Sequence, residues 1–395
     1  MKQGMTNVDV AALAAELAPL LVGGRLEKAY QPAKEQVLLR MRRKGVGRID
    51  LLFELGRFLT VTQRPPGNPD KPSMVAQVLR QQLENARVAG LAQVGFDRLL
   101  RIDLERGDGR RSLVFELFGD GNLLLLDAEG TILLPMKGGD FGARSLRRGQ
   151  PYLPPPGSAQ PFALDAPGLT ARLAAAKRDL VRFLALDLGF GPLWAEELCL
   201  RSGLDKAIPA ARLAPGQVAA LHAALHRLGG DIARNDLAPS LVHEHESERA
   251  TLVDAVPFPL LRYPAPRFSH EEAPSFRAAL DQLFVGTIEA GDGEAEAEDP
   301  RRGRFEEAKA KVQRQVDQVA QAIAGFLEDE AGHQADGEAL YASFGQVQAI
   351  LDALQKARQG RPWVEVERAL ARGRAEGNPF ALQVAELRPH NGTAL

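Results

Sequence analysis

Two neighbouring stretches gather the residues whose types and spacing could do chemistry. Asp97 and Arg98 stand side by side in Gln93-Val94-Gly95-Phe96-Asp97-Arg98, and Glu116 and Asn122 bracket a Gly-rich turn in Glu116-Leu117-Phe118-Gly119-Asp120-Gly121-Asn122. The chemistry on offer is recognition. A guanidinium presents a rigid fork of donors to oxygen acceptors, and a carboxylate beside it accepts from hydroxyl and amine groups. The sequence shows no P-loop, no Ser-His-Asp order, no Cys-His pairing and no zinc signature, and nothing beside Asp97 and Arg98 supplies a nucleophile or a metal-ligand set. Read as a strand, residues 93–98 send Asp97 and Arg98 to opposite faces, so the two cannot line one small pocket without a bulge. The pair suits the gripping of a large surface. The plainer alternative is an Arg98 that forms a structural ion pair and an Asp97 that caps a turn.

The elements that must position these groups can be traced from the first residues. Apolar positions recur at helical spacing over residues 8–21, with Thr6 or Asn7 as a plausible N-cap and Gly23-Gly24 as the stop. Asp9 falls in the first turn, where the helix dipole favours an acid. Strands are expected at residues 25–31, 37–42, 49–55 and 58–62. The run Arg40-Met41-Arg42-Arg43-Lys44-Gly45-Val46-Gly47-Arg48 reads as a hairpin tip whose cations Arg40, Arg42, Arg43 and Lys44 are free to meet phosphate oxygens. A helix over residues 73–85 and strands near 99–104, 112–118, 122–126 and 132–134 complete the unit. Two helices with about eight strands make an α+β fold, a β-sandwich flanked by helices. The stiff spacer Pro151-Tyr152-Leu153-Pro154-Pro155-Pro156 ends this first domain, residues 1–156.

Residues 168–238 are helical in pattern. Within them Gly189-Phe190-Gly191-Pro192 separates two helical segments, a helix-hairpin-helix arrangement in which Gly189 and Gly191 let backbone N–H groups approach a phosphate. Glu196 and Glu197, just behind the hairpin, count against tight duplex binding by this module alone. Residues 239–285 form a Pro-rich connecting segment with strand candidates at 252–258 and a helix at 275–284. His243 and His245 lack a third nearby ligand and read as part of a solvated loop rather than a zinc site. Residues 286–303 read as a flexible acidic linker. Coiled-coil stripes follow over 304–360, with Phe305, Val312, Val316, Val319, Ile323 and Phe326 in the first and Leu340, Phe344, Val347, Leu351 and Leu354 in the second. Residues 361–395 begin a further unit that stops without a finished element, so the chain reads as an N-terminal fragment of a longer protein.

The totals narrow the function classes. The chain has 395 residues, 45% apolar and 25% charged, enough for two to four domains with their own cores. The net charge of -2 conceals an asymmetry: residues 1–150 carry 23 Lys/Arg against 17 Asp/Glu, and the remainder 26 against 34. A basic N-terminal region implies a polyanion partner and salt-sensitive affinity. The single cysteine, Cys199, excludes an internal disulfide and implies a reducing compartment. No apolar run approaches the ~20 residues of a membrane span, and Asp9 and Glu16 interrupt any signal-like start, so a cytoplasmic protein is expected. Neither metal nor cofactor is expected.

At these residues the chain resembles the NFACT family, the ribosome quality-control factors known as RqcH in bacteria and NEMF in animals. The resemblance rests on Val8-Asp9-Val10, Val22-Gly23-Gly24-Arg25 with Tyr30-Gln31-Pro32, Leu79-Arg80-Gln81-Gln82-Leu83, residues 93–98 and 116–122, and Pro151-Tyr152-Leu153-Pro154-Pro155. It continues through Gly189-Phe190-Gly191-Pro192, Ala195-Glu196-Glu197-Leu198, Pro257-Phe258-Pro259-Leu260 and Glu338-Ala339-Leu340-Tyr341. The wording of the 116–122 turn is more similar to archaeal members than to bacterial ones.

That resemblance implies an N-terminal domain similar in fold to formamidopyrimidine-type DNA glycosylases, then a helix-hairpin-helix domain, a coiled coil and a middle domain. It implies binding to tRNA and to an obstructed large ribosomal subunit, its rRNA, its proteins and its nascent-chain peptidyl-tRNA, in support of mRNA-independent C-terminal tailing. The ribosome would make the peptide bonds, so the protein would be an adaptor and not an enzyme. The implied tRNA contacts fall on Asp9, Asp97 and Arg98, with Glu116 and Asn122 on the adjoining turn. Lys2 stands where a glycosylase of that fold needs an N-terminal proline, which argues against the alternative of a DNA-lesion enzyme. A surface adhesin is the third reading, disfavoured by the lack of a signal segment or repeats.

Overall fold

The computed structural model describes residues 1–142, 144–155, 160–246, 249–286, 332–335, 337–388 and 393–394. The chain divides into two compact units, Met1–Ala295 and Glu296–Leu395. The expected acidic linker beyond Gly286 and the first coiled-coil stripe lie outside the described residues.

Helix α1 (Asn7–Leu21) begins where Thr6 can cap it: Asp9 N–H donates to Thr6 Oγ1 at 3.2 Å and Thr6 N–H donates to Asp9 Oδ2 at 2.7 Å, a reciprocal capping box. The helix is apolar nearly all round because it serves two cores. Val10, Leu13, Leu17 and Leu21 enter one, while Val8 and Ala11 enter the other.

The strands that follow are β1 (Arg25–Tyr30), β2 (Gln36–Arg43), β3 (Gly47–Glu54) and β4 (Phe58–Val61); then come α2 (Met74–Leu83), β5 (Arg87–Gln93), β6 (Leu99–Arg106), β7 (Gly109–Glu116), β8 (Asn122–Leu126) and β9 (Ile132–Pro135). They form one antiparallel sheet in the order β4-β3-β2-β1-β5-β6-β7-β8-β9. The joint between β1 and β5 is slight, with the single ladder pair Arg25 and Arg87. Phe53 of β3 and Phe115 of β7 stand five strands apart, which is about 24 Å in a flat sheet. Their rings meet edge to face with centroids 5.1 Å apart. The sheet therefore folds back on itself at the β1–β5 joint, and the expected sandwich is built from one continuous sheet.

The rims of the two halves close through glycine. The β3–β4 turn meets the β7–β8 turn so tightly that a Cβ on Gly121 would lie 1.9 Å from Gly56 N. A short hairpin, β10 (Gly139–Phe141) and β11 (Arg144–Leu146), adds to the first domain. Three of these elements, β5, β10 and β11, are not apparent from the sequence pattern.

The helical module comprises α3 (Ala166–Ala174), α4 (Leu180–Arg182) running into a π-type turn (Phe183–Asp187), α5 (Gly191–Ser202) and α6 (Pro215–Ala233). The connecting segment then forms a second sheet, β12 (Ser240–Glu246), β13 (Arg249–Val256) and β14 (Phe268–Glu272) in the order β13-β12-β14, and a helix, α7 (Phe276–Leu280). This corrects the loop reading of His243 and His245, which lie on β12. His245 Nε2 is 2.8 Å from Ser269 Oγ. Phe276, Leu280 and Phe284 pack into the sandwich core, and Glu16 caps α7 by accepting from Phe276 N at 3.2 Å and Arg277 N at 2.8 Å.

In the second unit, helices Phe344–Arg358 and Trp363–Ala375 gather Leu354, Val366 and Leu370 with Ala381, Val384 and Leu387. Leu340, Phe344 and Leu351 of the second apolar stripe are exposed.

Candidate nucleic-acid interface

Gln93 ends β5 and residues 94–98 form the turn to β6, and not the strand-like run over 93–98 that the sequence suggests. Strand alternation therefore does not separate Asp97 from Arg98. Asp97 Oδ1 accepts from Arg98 N–H at 2.7 Å, which stiffens the turn, and Leu117 N–H donates to Arg98 O at 2.8 Å. The guanidinium of Arg98 is half-buried and makes no hydrogen bond or ion pair among the described residues. A cation held by its backbone and unpaired at its head is poised for an external acceptor.

Asn7, the first residue of α1, ties this turn to the helical module. Its Nδ2 donates to Phe96 O at 2.9 Å and to Gly189 O at 2.6 Å, while its own carbonyl accepts from Gln93 Nε2 at 2.9 Å. Gln93 Nε2 also donates to Asp97 O at 2.7 Å. Phe96, Phe162 and Phe190 pack their rings together, at 4.9 Å between Phe96 and Phe190 and 5.0 Å between Phe96 and Phe162. Gly189 and Gly191 have φ of +77° and +72°, the left-handed region that glycine enters without strain. Three segments distant in sequence thus meet at one surface: the start of α1, the β5–β6 turn and the Gly-x-Gly hairpin. The first turn of α5 has no side-chain cap, and since Pro192 carries no N–H, the donors it can offer an anion are those of Gly191 and Leu193.

The acids behind the hairpin are occupied. Glu197 is fully buried, accepting from Arg201 Nε at 2.6 Å, Leu261 N at 3.2 Å and Arg262 N at 3.0 Å. Glu196 pairs with Lys206 at 2.7 Å and with Arg262, and the Lys206 hydrogen bond holds its carboxyl below the usual range. Their pairing removes most of the expected repulsion of phosphate.

Residues 6–369 match the family described as NFACT N-terminal and middle domains. The chain belongs to the NFACT family. Among its relatives, the archaeal Rqc2 homolog aRqcH of Methanocaldococcus jannaschii is 26% identical over 391 residues, covering 94% of this chain and 54% of that protein. The Rqc2 homolog RqcH of Bacillus subtilis is 25% identical, covering 74% of this chain and 51% of that protein. The ribosome quality control complex subunit NEMF homolog of Drosophila melanogaster is 32% identical over 212 residues, 52% of this chain and 21% of that protein. The NFACT chain thus spans at most about half the length of these relatives. Its fold is similar to the N-terminal region of the fibronectin/fibrinogen-binding protein of Streptococcus suis, with TM-score 0.57 and 21% identity over 72% of this chain and 100% of the other. It is also similar to a fibrinogen-binding protein of Staphylococcus aureus, with TM-score 0.54 and 22% identity over 71% of this chain and 98% of the other.

The remaining candidate residues of the NFACT chain fall elsewhere. Asp9 is completely buried, with Oδ2 2.9 Å from Lys2 Nζ. Glu116 is also buried, paired with Arg144 through contacts of 2.9 and 3.2 Å and accepting from Tyr152 OH at 3.1 Å. Asn122 is buried too, exchanging hydrogen bonds of 2.8 and 2.9 Å with the Lys137 backbone. These three side chains are committed to internal partners, whereas Asp97 and Arg98 are only half-buried.

The expected basic hairpin tip is likewise corrected. Arg40 lies within β2, bound to Asp50 at 2.9 Å and stacked over the Tyr30 ring at 5.1 Å. Arg42 pairs with Glu27, and Arg43 donates to Pro19 O. Lys44 alone of the four is exposed without a partner among the described residues.

The residue that sequence reasoning missed is Asn7. Its position beside Thr6 suggests a cap, and nothing local signals a bridge to Phe96 and Gly189. Among the described residues no cluster of His, Cys, Asp and Glu could hold a metal, and no helix is long and apolar enough to cross a membrane.

Proposed function

We propose that this NFACT chain acts in ribosome quality control as an RNA-gripping adaptor, holding tRNA at the surface made by Asp97, Arg98, Gly189 and Gly191. The observation that carries this is the clamp of Asn7 on both Phe96 O and Gly189 O, which puts an unpaired Arg98 and an uncapped helix start on one rigid surface. Phosphate recognition needs this combination of a fixed fork of donors and free backbone N–H groups. Among the described residues no Ser, Cys or His joins Asp97 in the cluster, so in this reading the residues position RNA and peptide-bond formation is left to the ribosome. Asp9, Glu116 and Asn122 act by supporting the surface from inside.

The name of the Drosophila relative speaks of ribosome quality control and no more; the finer reading rests on the family resemblance, in which this chain, in the cytoplasm, engages an obstructed large ribosomal subunit, its rRNA, proteins and peptidyl-tRNA, and supports C-terminal tailing of stalled chains. A glycosylase reading has no support in the site. Lys2 Nζ is buried among Asp9, Asp254 and the Ala255 carbonyl, unavailable as a nucleophile.

The test is crosslinking and sequencing of RNA bound in cells to the intact protein and to Arg98→Ala. Enrichment of tRNA and large-subunit rRNA that falls in the variant, with folding unchanged, is the expected result. Equal tRNA recovery by wild type and variant removes Arg98 from the site.

A further inference from the structure

A groove of about 460 Å³ lies between the end of α3 and the π-type turn that precedes the Gly-x-Gly hairpin in the chain. Arg172, Lys177, Arg178 and Asp187 rim it, and Phe183, almost fully buried, lies beneath them. None of these residues belongs to the surface described above. Arg172 and Lys177 are exposed and make no hydrogen bond or ion pair among the described residues. Arg178 meets Asp187 only at 4.0 Å, with both side chains about half exposed (50% and 45%), a geometry that contributes little in water. The other nearby acid, Asp179, is already used: its Oδ1 accepts from Arg182 N at 3.0 Å, and Arg182 Nη1 lies 3.3 Å from its Oδ2. The groove thus presents three cations to one weakly engaged carboxylate.

Arg172 stands on α3, and the loop bearing Lys177 and Arg178 is held in place. Ala176 N–H donates to Leu173 O at 3.0 Å, Ala210 N–H to Arg178 O at 3.0 Å, and Leu180 N–H to Ile208 O at 2.8 Å. Ordering this backbone is therefore no further cost on binding, and only side-chain freedom is lost. The π-type turn that forms one wall ends at Asp187, two residues before Gly189, whose carbonyl Asn7 grips. A single short segment joins the groove to the Arg98 surface.

We propose that this groove is a second RNA-backbone site, in which Arg172, Lys177 and Arg178 take phosphodiester oxygens of the RNA that Arg98 holds. A phosphate displaces Asp187 from Arg178 and relieves the mutual repulsion of the three cations. RNA is favoured over an acidic protein because the segment that walls the groove runs on within two residues into the Gly-x-Gly hairpin, where the N–H groups of Gly189 and Gly191 suit phosphate while that of Phe190 is held by Leu184 O at 3.1 Å. The inference rests on the reading of the Arg98 surface as an RNA interface.

The experiment measures the affinity of the full chain for unfractionated tRNA between about 50 and 200 mM salt, where each phosphate contact contributes about 0.7 to 0.9 to the slope of log affinity against log salt. Arg172→Ser with Lys177→Ser is expected to lower the slope by about 1.5, by loss of two contacts. The Arg172→Lys, Lys177→Arg pair is expected to restore it, and melting curves check that every variant is folded. A slope unchanged in the serine pair but reduced in Arg98→Ala overturns this inference and leaves the Arg98 interface standing. Wild-type chain that does not bind tRNA overturns both. Polyglutamate that competes as well as tRNA, with its binding lost in the serine pair, overturns the RNA assignment in favour of an acidic protein partner.

Discussion

Lys2 Nζ lies 2.9 Å from Asp9 Oδ2 and 2.9 Å from Asp254 Oδ1, and it donates to Ala255 O at 2.8 Å, all in the protein interior. One cation serves two carboxylates there. It ties the first turn of α1 to β13, and Tyr263 OH completes the network by donating to Asp254 Oδ2 at 2.7 Å. Burial alone would lower the pKa of Lys2, but Asp254 and then Asp9 outweigh it and raise it. Burial pushes the Asp9 carboxyl up, against the pull of Lys2 and helped by the repulsion of Asp254.

The two ends of this pair respond differently to substitution. Lys2→Met strands two buried carboxylates and is expected to cost about 3–5 kcal/mol. Asp9→Asn mimics the protonated form that burial favours and leaves Lys2 paired with Asp254, so about 1–2 kcal/mol is expected. Denaturant unfolding of both variants at neutral pH checks the order. The signs in pH follow from the two raised values. The stability that Lys2 contributes is present below its unfolded pKa and is lost as pH rises through the folded value, so wild type loses stability in strong alkali where Lys2→Met has none of that share to lose. The share from Asp9 is present below its unfolded pKa and is lost as pH rises through its folded value, and Asp9→Asn lacks that dependence.

Asn7→Ala removes two donated hydrogen bonds and leaves the carbonyls of Phe96 and Gly189 to find water. About 1–3 kcal/mol of stability is expected to go. Affinity for tRNA should fall with it, although Asn7 itself need touch no RNA. Anisotropy titration with labelled tRNA, run beside a melting curve, separates the two effects. Unchanged affinity in a destabilised variant would detach the clamp from the interface.

The glycine contact that closes the sandwich gives a paired test. At Gly121, with φ +65°, an added Cβ would meet Gly56 N at 1.9 Å; at Gly119, with φ +55°, it would meet nothing within 4 Å. Gly119→Ala carries only the backbone penalty, about 1 kcal/mol. Gly121→Ala must also push the two hairpin turns apart, and a loss above about 4 kcal/mol or failure to fold is expected. Similar melting temperatures for the two variants would contradict the contact.

Cys199 is buried, and burial pushes its thiol up to about 11. At pH 8 almost none of it is thiolate, and the reactive form is the thiolate. A disulfide reagent is expected to label the native protein slowly and the denatured protein at once. Fast labelling of the native chain would show that the site opens readily.

Much of the architecture was legible because local patterns carry it. Apolar spacing marked α1 and α2, alternation bounded by turns marked β1 to β4 and β6 to β9, and Gly189-Phe190-Gly191-Pro192 marked the hairpin between helices. β5 escaped because Arg87–Gln93 shows no clean alternation: Gly90 and a register shift between Val88 and Gly90 interrupt it. Residues 94–98 look like a strand in sequence for a related reason, since Val94 and Phe96 mimic strand spacing while Gly95, at φ +63°, turns the chain.

The candidate site divides along the same line. Residue types alone single out Asp97, Arg98, Gly189 and Gly191 as candidates, because an adjacent acid and guanidinium and a Gly-x-Gly turn are local signals. Which of the polar residues faces outward could not be read from type, since burial depends on partners remote in sequence. Asp9 is held inside by Lys2 and Asp254, Glu116 by Arg144, and Arg40 by Asp50, while Arg98 meets no such partner among the described residues. A charge is exposed or buried according to whether the folded chain brings a counter-charge to it, and that meeting is decided by tertiary structure alone.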